Sequence, residues 1–455
     1  MATVAMRIVT ADRIRIEGLD REDPRHLEAL ARLEARFTYD NPAYWDARRY
    51  RRPCRHLPRQ IVLFEALDDG TVAVPRGARG DVLAALGDLP FETVDATVAP
   101  PAPGLAFQGA LRDYQHAAVA AAVAARDGVI QAPTGSGKTV IAAALAARLG
   151  TPALILVHTS VLLEQTADRM RQFLGIEPGR VGGGAESWDT VTVAMVQTLL
   201  RRDLAPFRDR FGLVILDEAH HCPAETFKSV VRHFAARHRI GLTATPTRKD
   251  RLHPVLFDVV GPIVHRVAPR TLVAQGSIAP SQVIEVTTAF RGAFRNNYGG
   301  LINRLVRDAK RNALVLDAVV AHRGARALVL SERVRHCEML AAALQERGIP
   351  AEILTGKMAR DARDAVLARF SDGRTEVLVS TPAMVGEGFD LPAIETVFLT
   401  VPNGNVAKTT QVLGRALRPH AGKAAGRIVD FVDAEVPLLA NQYRRRARVY
   451  RGFAA

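Results

Sequence analysis

Three cysteines, Cys54, Cys222 and Cys337, are too few and too far apart in 455 residues for a disulfide framework or a zinc set. A reducing compartment is therefore expected. His220-His221-Cys222 has no second ligand pair at a suitable spacing, which sets a metal site aside there. No run reaches the roughly 20 apolar residues of a membrane span. The N-terminus alternates polar and apolar residues (Arg13-Ile14-Arg15-Ile16) without an apolar core of signal-peptide length, so a cytoplasmic protein is expected. Acid is also short: 47 Asp and Glu face 61 Lys and Arg, a formal net charge of +14. Such a surface attracts polyanions, nucleic acid first among them. Arginine heavily outnumbers lysine, so coding bias competes as a source of that charge.

What is present fills more than one core; the length suggests two to four domains. Residues 1–104 read as a small α+β accessory domain with a DNA-binding role in view, ending in the stiff stretch Ala99-Pro100-Pro101-Ala102-Pro103-Gly104. Within it, six arginines between Arg48 and Arg59 lie beside Tyr44, Trp45 and Tyr50, a mixture that grips phosphates and stacks on bases or is simply a solvated face. Over 105–265, apolar runs at 128–131, 153–157, 191–194, 213–216 and 240–243 alternate with helical stretches. That is the pattern of a parallel sheet with crossover helices. A second such set follows over 301–455, at 327–330, 352–354, 377–380, 396–400 and 427–431. Residues 266–300, with turn residues at Gly292, Asn296, Asn297, Gly299 and Gly300, read as a connector. The final helix carries Arg444, Arg445, Arg446, Arg448 and Arg451, either a phosphate contact or a solvated end.

The chemistry begins at Ala132-Pro133-Thr134-Gly135-Ser136-Gly137-Lys138-Thr139, a phosphate-binding loop between a strand and a helix. Its backbone N–H groups would cradle the phosphates of ATP, Lys138 would neutralise them, and the Thr139 hydroxyl would ligate Mg²⁺. Asp217 and Glu218 end a later strand: Asp217 to hold the hydrated metal, Glu218 to orient and deprotonate the attacking water. Arg112 and Gln115 precede the loop by one helix, and a Gln115 amide can pair with adenine N6 and N7. Thr243 and Thr245 end a further strand, where hydroxyls would bond the carboxylate motif and relay nucleotide state. In the second half, Gly388 and Asp390 lie in a loop of small residues. Gln411, Arg415 and Arg418 share a helix on which the two arginines, three positions apart, face one way. They would act as fingers on the transferring phosphoryl group, provided the two halves close over ATP.

These segments, in this order, resemble superfamily 2 helicases and translocases over roughly residues 107–451: Leu111-Arg112-Asp113-Tyr114-Gln115, the phosphate loop, Leu156-Val157-His158 leading to Leu163-Glu164-Gln165, Val196-Gln197-Thr198, Asp217-Glu218-Ala219-His220, Thr243-Ala244-Thr245, Leu328-Val329-Leu330-Ser331, residues 386–390 and the helix from Gln411 to Arg418. The run Gly241–Thr245 followed by Arg248-Lys249-Asp250 is similar to the xeroderma pigmentosum group B branch, with type III restriction motors and phage recombination helicases as near relatives. That branch carries Arg-Glu-Asp where this chain has Arg-Lys-Asp, and Thr159 stands where relatives often have a basic residue.

The resemblance implies two tandem RecA-like domains, DNA as the track and 3′→5′ movement. Thr159, Gln197, Thr198 and Thr381 are then the expected nucleic-acid contacts. No nuclease, methyltransferase or zinc-cluster segment is visible, so any cutting in repair, recombination or antiphage defence would come from a partner protein. The rival readings are an RNA helicase and an ATP-gated DNA-binding adaptor that does not step.

Overall fold

The computed structural model describes residues 6–102, 104–221, 225–247, 250–294, 297–356, 358–386, 394–402, 404, 409–410, 412–414 and 425–453. By packing, the chain divides into two units. One comprises Met1–Ala132 with Gly137–Arg266, the other Pro133–Ser136 with Val267–Ala455. No described helix is long and apolar enough to cross a membrane.

The first unit opens with a five-stranded sheet in the order Glu65–Ala66, Val72–Val74, Ile14–Glu17, Met6–Thr10, Phe91–Asp95. Alternation decides which face is covered: Met6, Ile8, Ile14 and Ile16 point inward onto Ala29 and Leu33 of the helix Pro24–Arg36. Asp23 caps that helix by accepting from the Arg25 N–H at 2.8 Å.

This leader, expected as a separate unit, packs in the same unit as the sheet that follows it. The seam is polar and buried. Arg76 donates to Asp127 Oδ2 at 2.8 Å and to the carbonyls of Ala11 (2.8 Å) and Ala236 (2.6 Å). Arg239 donates to the carbonyls of Val259 at 3.0 Å and Asp12 at 2.9 Å. Arg36 meets Asp258 at 2.8 Å, and Tyr39 donates to the same carboxylate. Gly77 permits the backbones to touch: a Cβ there would sit 2.6 Å from the Phe257 carbonyl and 2.7 Å from that of Asp258. Buried arginines satisfied by distant carbonyls leave no pattern in a sequence, which is why the composition of the stretch after Val98 suggested independence instead.

An eight-stranded sheet follows, ordered Ala185–Glu186, Gly179–Gly182, Val191–Met195, Ala153–Val157, Leu213–Asp217, His238–Thr243, Asp127–Gln131, Ile263–Arg266. Every pairing is parallel except the outermost hairpin at 179–186. Its central strands read Ala-Leu-Ile-Leu-Val and Leu-Val-Ile-Leu and are buried throughout, as helices on both faces require. All five expected strands are there within one or two residues. The three remaining strands, at 179–182, 185–186 and 263–266, leave no apolar run because their short segments contain glycine or charge.

The second unit has a six-stranded, wholly parallel sheet: Ser281–Thr287, Gly426–Val432, Thr396–Leu399, Ala327–Leu330, Val377–Ser380, Ala351–Leu354. Residues 281–287, expected as connector, are its edge strand. An edge strand alternates exposed and covered positions and lacks the continuous apolar run that marks a central one. The basic helix Pro437–Tyr450 is not uniformly solvated. Arg446 is buried and forks onto Asp430 at 2.9 Å through both Nε and Nη2, while Arg444, Arg445, Arg448 and Arg451 are exposed.

Candidate functional site

Parallel strands all end on the same side, so the carboxyl edge of the eight-stranded sheet gathers segments that lie far apart in sequence. Read across neighbouring strands, that edge presents 195–198, 157–159, 217–218, 243–245 and then 131–139.

The phosphate loop leaves the strand Asp127–Gln131 and enters the helix Lys138–Leu149. Gly135 and Gly137 have φ of +89° and +74°, conformations that side-chain-bearing residues rarely adopt. A Cβ on Gly137 would also lie 2.6 Å from Gln115 Nε2. The loop is moored by the Ala132 N–H, which donates to the Thr243 carbonyl at 2.9 Å, and by the Ser136 N–H, which donates to the Pro133 carbonyl at 3.2 Å. Thr134 Oγ1 is buried with no hydrogen-bond partner among the described residues, a donor suited to an oxyanion. Helix N-terminus, open glycines and orphaned hydroxyl together fit a polyphosphate. Gln115 is buried, and its Oε1 accepts the Arg112 N–H at 3.0 Å, so part of the expected base-reading amide already serves the start of its own helix.

Lys138 Nζ stands 3.6 Å from Glu218 Oε1, both side chains nearly buried. Glu218 has φ +48°, costly for a residue with a full side chain and of the kind that marks functional turns. Asp217 Oδ1 accepts the Glu218 N–H at 3.0 Å, holding the two carboxylates in fixed relation.

Thr243 meets the Asp217-to-His220 motif through the motif's histidine. Its Oγ1 meets His220 Nδ1 at 3.1 Å, and His220 Nδ1 lies 3.4 Å from Glu218 Oε2. The same Oγ1 accepts the Thr245 N–H at 3.2 Å. His220 is thus the link between Glu218 and the Thr-Ala-Thr turn. In the sequence it is only the last letter of a motif, and its place next to Asp217-Glu218 is the signal that could have found it. His221 stacks at 4.3 Å from His220 and 4.4 Å from His158. No metal-binding group of His, Cys, Asp and Glu occurs among the described residues.

Of the expected track contacts, three gather on adjacent strand ends. Gln197 is exposed and donates through Nε2 to the His158 carbonyl at 3.2 Å, with Thr198 beside it. Thr159 caps the helix Ser160–Leu174, its Oγ1 accepting the Leu162 N–H at 3.2 Å. In the second unit Thr381 directly follows the strand Val377–Ser380, partly exposed, while Ser380 Oγ is buried on the Leu354 carbonyl at 2.7 Å. Gly388, Asp390, Gln411, Arg415 and Arg418 lie outside the described residues.

Comparison with known proteins follows the same layout. Residues 108–248 match the model of the type III restriction enzyme res subunit, and residues 310–420 match the helicase conserved C-terminal domain. The DNA 3'-5' translocase XPB2 of Sulfurisphaera tokodaii is 28% identical over 348 residues, covering 68% of this chain and 78% of that protein. The DNA 3'-5' helicase XPB of Mycobacterium tuberculosis is 28% identical over 403 residues, covering 84% and 72%. A solved fragment assigned to an HsdR subunit of a type I restriction enzyme from Vibrio vulnificus shares the fold, with a TM-score of 0.58 at 22% identity over 74% of this chain and 66% of that one. The two family models and the XPB-like relatives lead to one place: the chain is an ATP-hydrolysing member of the superfamily 2 helicases and translocases, on the branch of the XPB-like and type III restriction motors.

Proposed function

We propose that this ATPase is a DNA motor that moves 3′→5′ along or against DNA. The observation that carries the reading is the carboxyl edge itself. Lys138, Glu218, His220 and Thr243 form one connected set there, and the strand ends bearing Thr159, Gln197 and Thr198 lie next to it on the same edge. The XPB-like relatives are named for 3'-5' action on DNA, which supports the choice of track and direction.

In this reading Lys138 and the loop N–H groups hold the β- and γ-phosphates of ATP, with Pro133, Thr134 and Ser136 shaping the cradle. Gln115 offers adenine its Nε2 and the second lone pair of Oε1. Thr139 and Asp217 would hold Mg²⁺; one hydroxyl and one carboxylate suit a hard cation. When bound, that ion neutralises charge on the β- and γ-oxygens. Glu218 orients the attacking water and takes its proton. Arg415 and Arg418, with Gln411, would stabilise charge on the transferring group, and Gly388 and Asp390 would serve nucleotide binding. Thr245, bonded to Thr243, passes the state of Glu218 toward the track. Repair, recombination and antiphage defence are the settings in which such a motor would serve. Strand cutting, where it is needed, comes from a partner protein in the cytoplasm.

The test is ATP turnover with single-stranded, duplex and forked DNA and with RNA, each across a salt series. Stimulation by DNA that weakens as salt rises is expected. Stimulation by RNA alone would replace the track, and no response to any polynucleotide would leave a nucleotide-gated adaptor.

A further inference from the structure

Residues 42–59 of the leader are not used by the motor chemistry, and they are built as a binding surface. Across residues 41–60 the sequence has six arginines (Arg48, Arg49, Arg51, Arg52, Arg55, Arg59) and a single acid, Asp46. All six are exposed, and among the described residues none forms an ion pair. Elsewhere the same unit spends surface arginine on carboxylate. Arg171 holds Asp168 and Glu177, Arg180 holds Glu164 and Glu177, and Arg202 holds Glu186. A general surplus of arginine does not explain a patch from which acid has been withdrawn.

Two aromatic faces stand in that patch. Trp45 is 41% and Tyr50 is 61% exposed. Each carries a guanidinium: Arg59 lies 5.6 Å from the Trp45 centroid, and Arg52 and Arg49 lie 5.5 and 5.9 Å from that of Tyr50. The supporting chain is stiff. Pro53 and Pro58 restrict it, the Asn41 N–H donates to the Arg59 carbonyl at 2.9 Å, and Asn41 Nδ2 donates to the Pro58 carbonyl at 2.8 Å. The Arg52 N–H closes the end of the helix Pro42–Arg49 onto the Ala47 carbonyl at 2.8 Å. Exposed rings held in place between unpaired guanidinia form a stacking platform with a phosphate-binding rim. Duplex DNA hides its base faces, so such rings gain a partner only from unpaired bases.

We infer that residues 42–59 form a second nucleic-acid site, in which Trp45 and Tyr50 stack on unpaired bases of a DNA strand while the arginines bind its phosphates. The leader is bonded to the sheet that carries Lys138 and Glu218 through Arg36, Arg76 and Arg239, so this grip moves with the nucleotide-binding unit. The inference rests on the DNA reading above and adds a single-strand grip outside the motor motifs.

The experiment uses the full chain and fluorescence anisotropy with labelled oligo-dT and with a mixed-sequence duplex, over a salt series. Two variants are compared with the wild type: W45A/Y50A, and R49A/R52A/R59A, each first checked for an unchanged thermal melt. The ring variant is expected to lose oligo-dT affinity by roughly tenfold per ring while duplex affinity stays put. The arginine variant is expected to lower the salt slope for oligo-dT by about 2, at about 0.7 for each phosphate no longer neutralised. Equal losses on both DNAs in the ring variant, or none, would overturn the stacking site. So would an arginine variant that loses binding to phosphatidylserine vesicles yet keeps its oligo-dT affinity. Wild-type turnover that ignores every DNA defeats the motor reading instead, and that result is separate from these.

Discussion

The eight-stranded and six-stranded sheets are built on the same plan but place their charges differently. In the first, besides the buried Arg76 and Arg239 of the seam with the leader, charged groups stand at the carboxyl edge: Lys138 against Glu218, Glu218 against His220, with a left-handed backbone at Glu218. In the second, the strongest described pairs are deep. Arg311 donates to Asp433 Oδ1 at 2.7 Å and to the Thr400 carbonyl at 2.7 Å, and Arg446 forks onto Asp430, which Tyr450 also bonds. All four of these charged residues are buried. Charge at a strand end serves chemistry; charge beneath the helices fixes a packing arrangement. An arginine in the second half is therefore not by itself a finger.

The contrast is broken most decisively at the first edge. Lys138→Ala or Glu218→Gln should lower ATP turnover on the order of 10³-fold or more without shifting the melting curve, since on the proposed reading each removes a group that acts on the reacting phosphate or water. Substantial turnover in both variants would take the edge out of the mechanism. In the second sheet the expected loss is stability. Arg311→Ala leaves Asp433 buried without its counter-ion and should cost about 3–5 kcal/mol in chemical denaturation, and R311M/D433L should recover much of that. A single variant within about 1 kcal/mol of wild type would show that the pair is not the anchor described here.

A subtler probe is Thr243→Val, which keeps shape and removes the hydroxyl shared by His220 and Thr245. One hydrogen bond of about 0.5–1.5 kcal/mol predicts a roughly 2- to 12-fold fall in DNA-stimulated turnover. Nucleotide affinity, measured separately, should hold; an equal fall in affinity would assign Thr243 to binding.

The smallest effect is a pH response that both sheets share. Burial pushes His238 down to about 4, and burial with the Arg311 charge does the same to His336. Both folded values lie below the ordinary value near 6.5, so as pH falls from about 6.5 to about 4 the unfolded chain takes up protons first. Stability drains across that window and not beneath it. H238Q and H336Q should each flatten part of the acid limb of melting temperature against pH; an unchanged limb in both would remove the histidines from the account.

Much of this was readable from the chain alone. Central strands such as Ala153–Val157 and Val377–Ser380 announce themselves because burial on both faces demands continuous apolar runs. The phosphate loop is legible because glycine at Gly135 and Gly137 answers a local backbone requirement. The edge strand 281–287 was not, since half-exposure leaves a mixed pattern. The strand end at Thr243 was legible, but which member of the Asp217-to-His220 motif its hydroxyl meets was not, because strand order decides which side chain lies opposite, and strand order is not local. Arg446, grouped with its basic neighbours, turned out to face inward for the same reason.

What the amino-acid order determined by itself is what short-range physics controls: sheet periodicity, the glycine turn between strand and helix at 132–138, the carboxylates that follow a strand, and the surplus of positive charge. What only the tertiary structure decided is which distant groups meet. His220 reached Thr243, Arg76 and Arg239 bound the leader to the nucleotide-binding unit, and residues 42–59 kept their arginines clear of acid. The first two outcomes depend on the burial of polar groups that must find partners across tens to hundreds of residues, and the only condition on each is that the partner be there when the chain has folded.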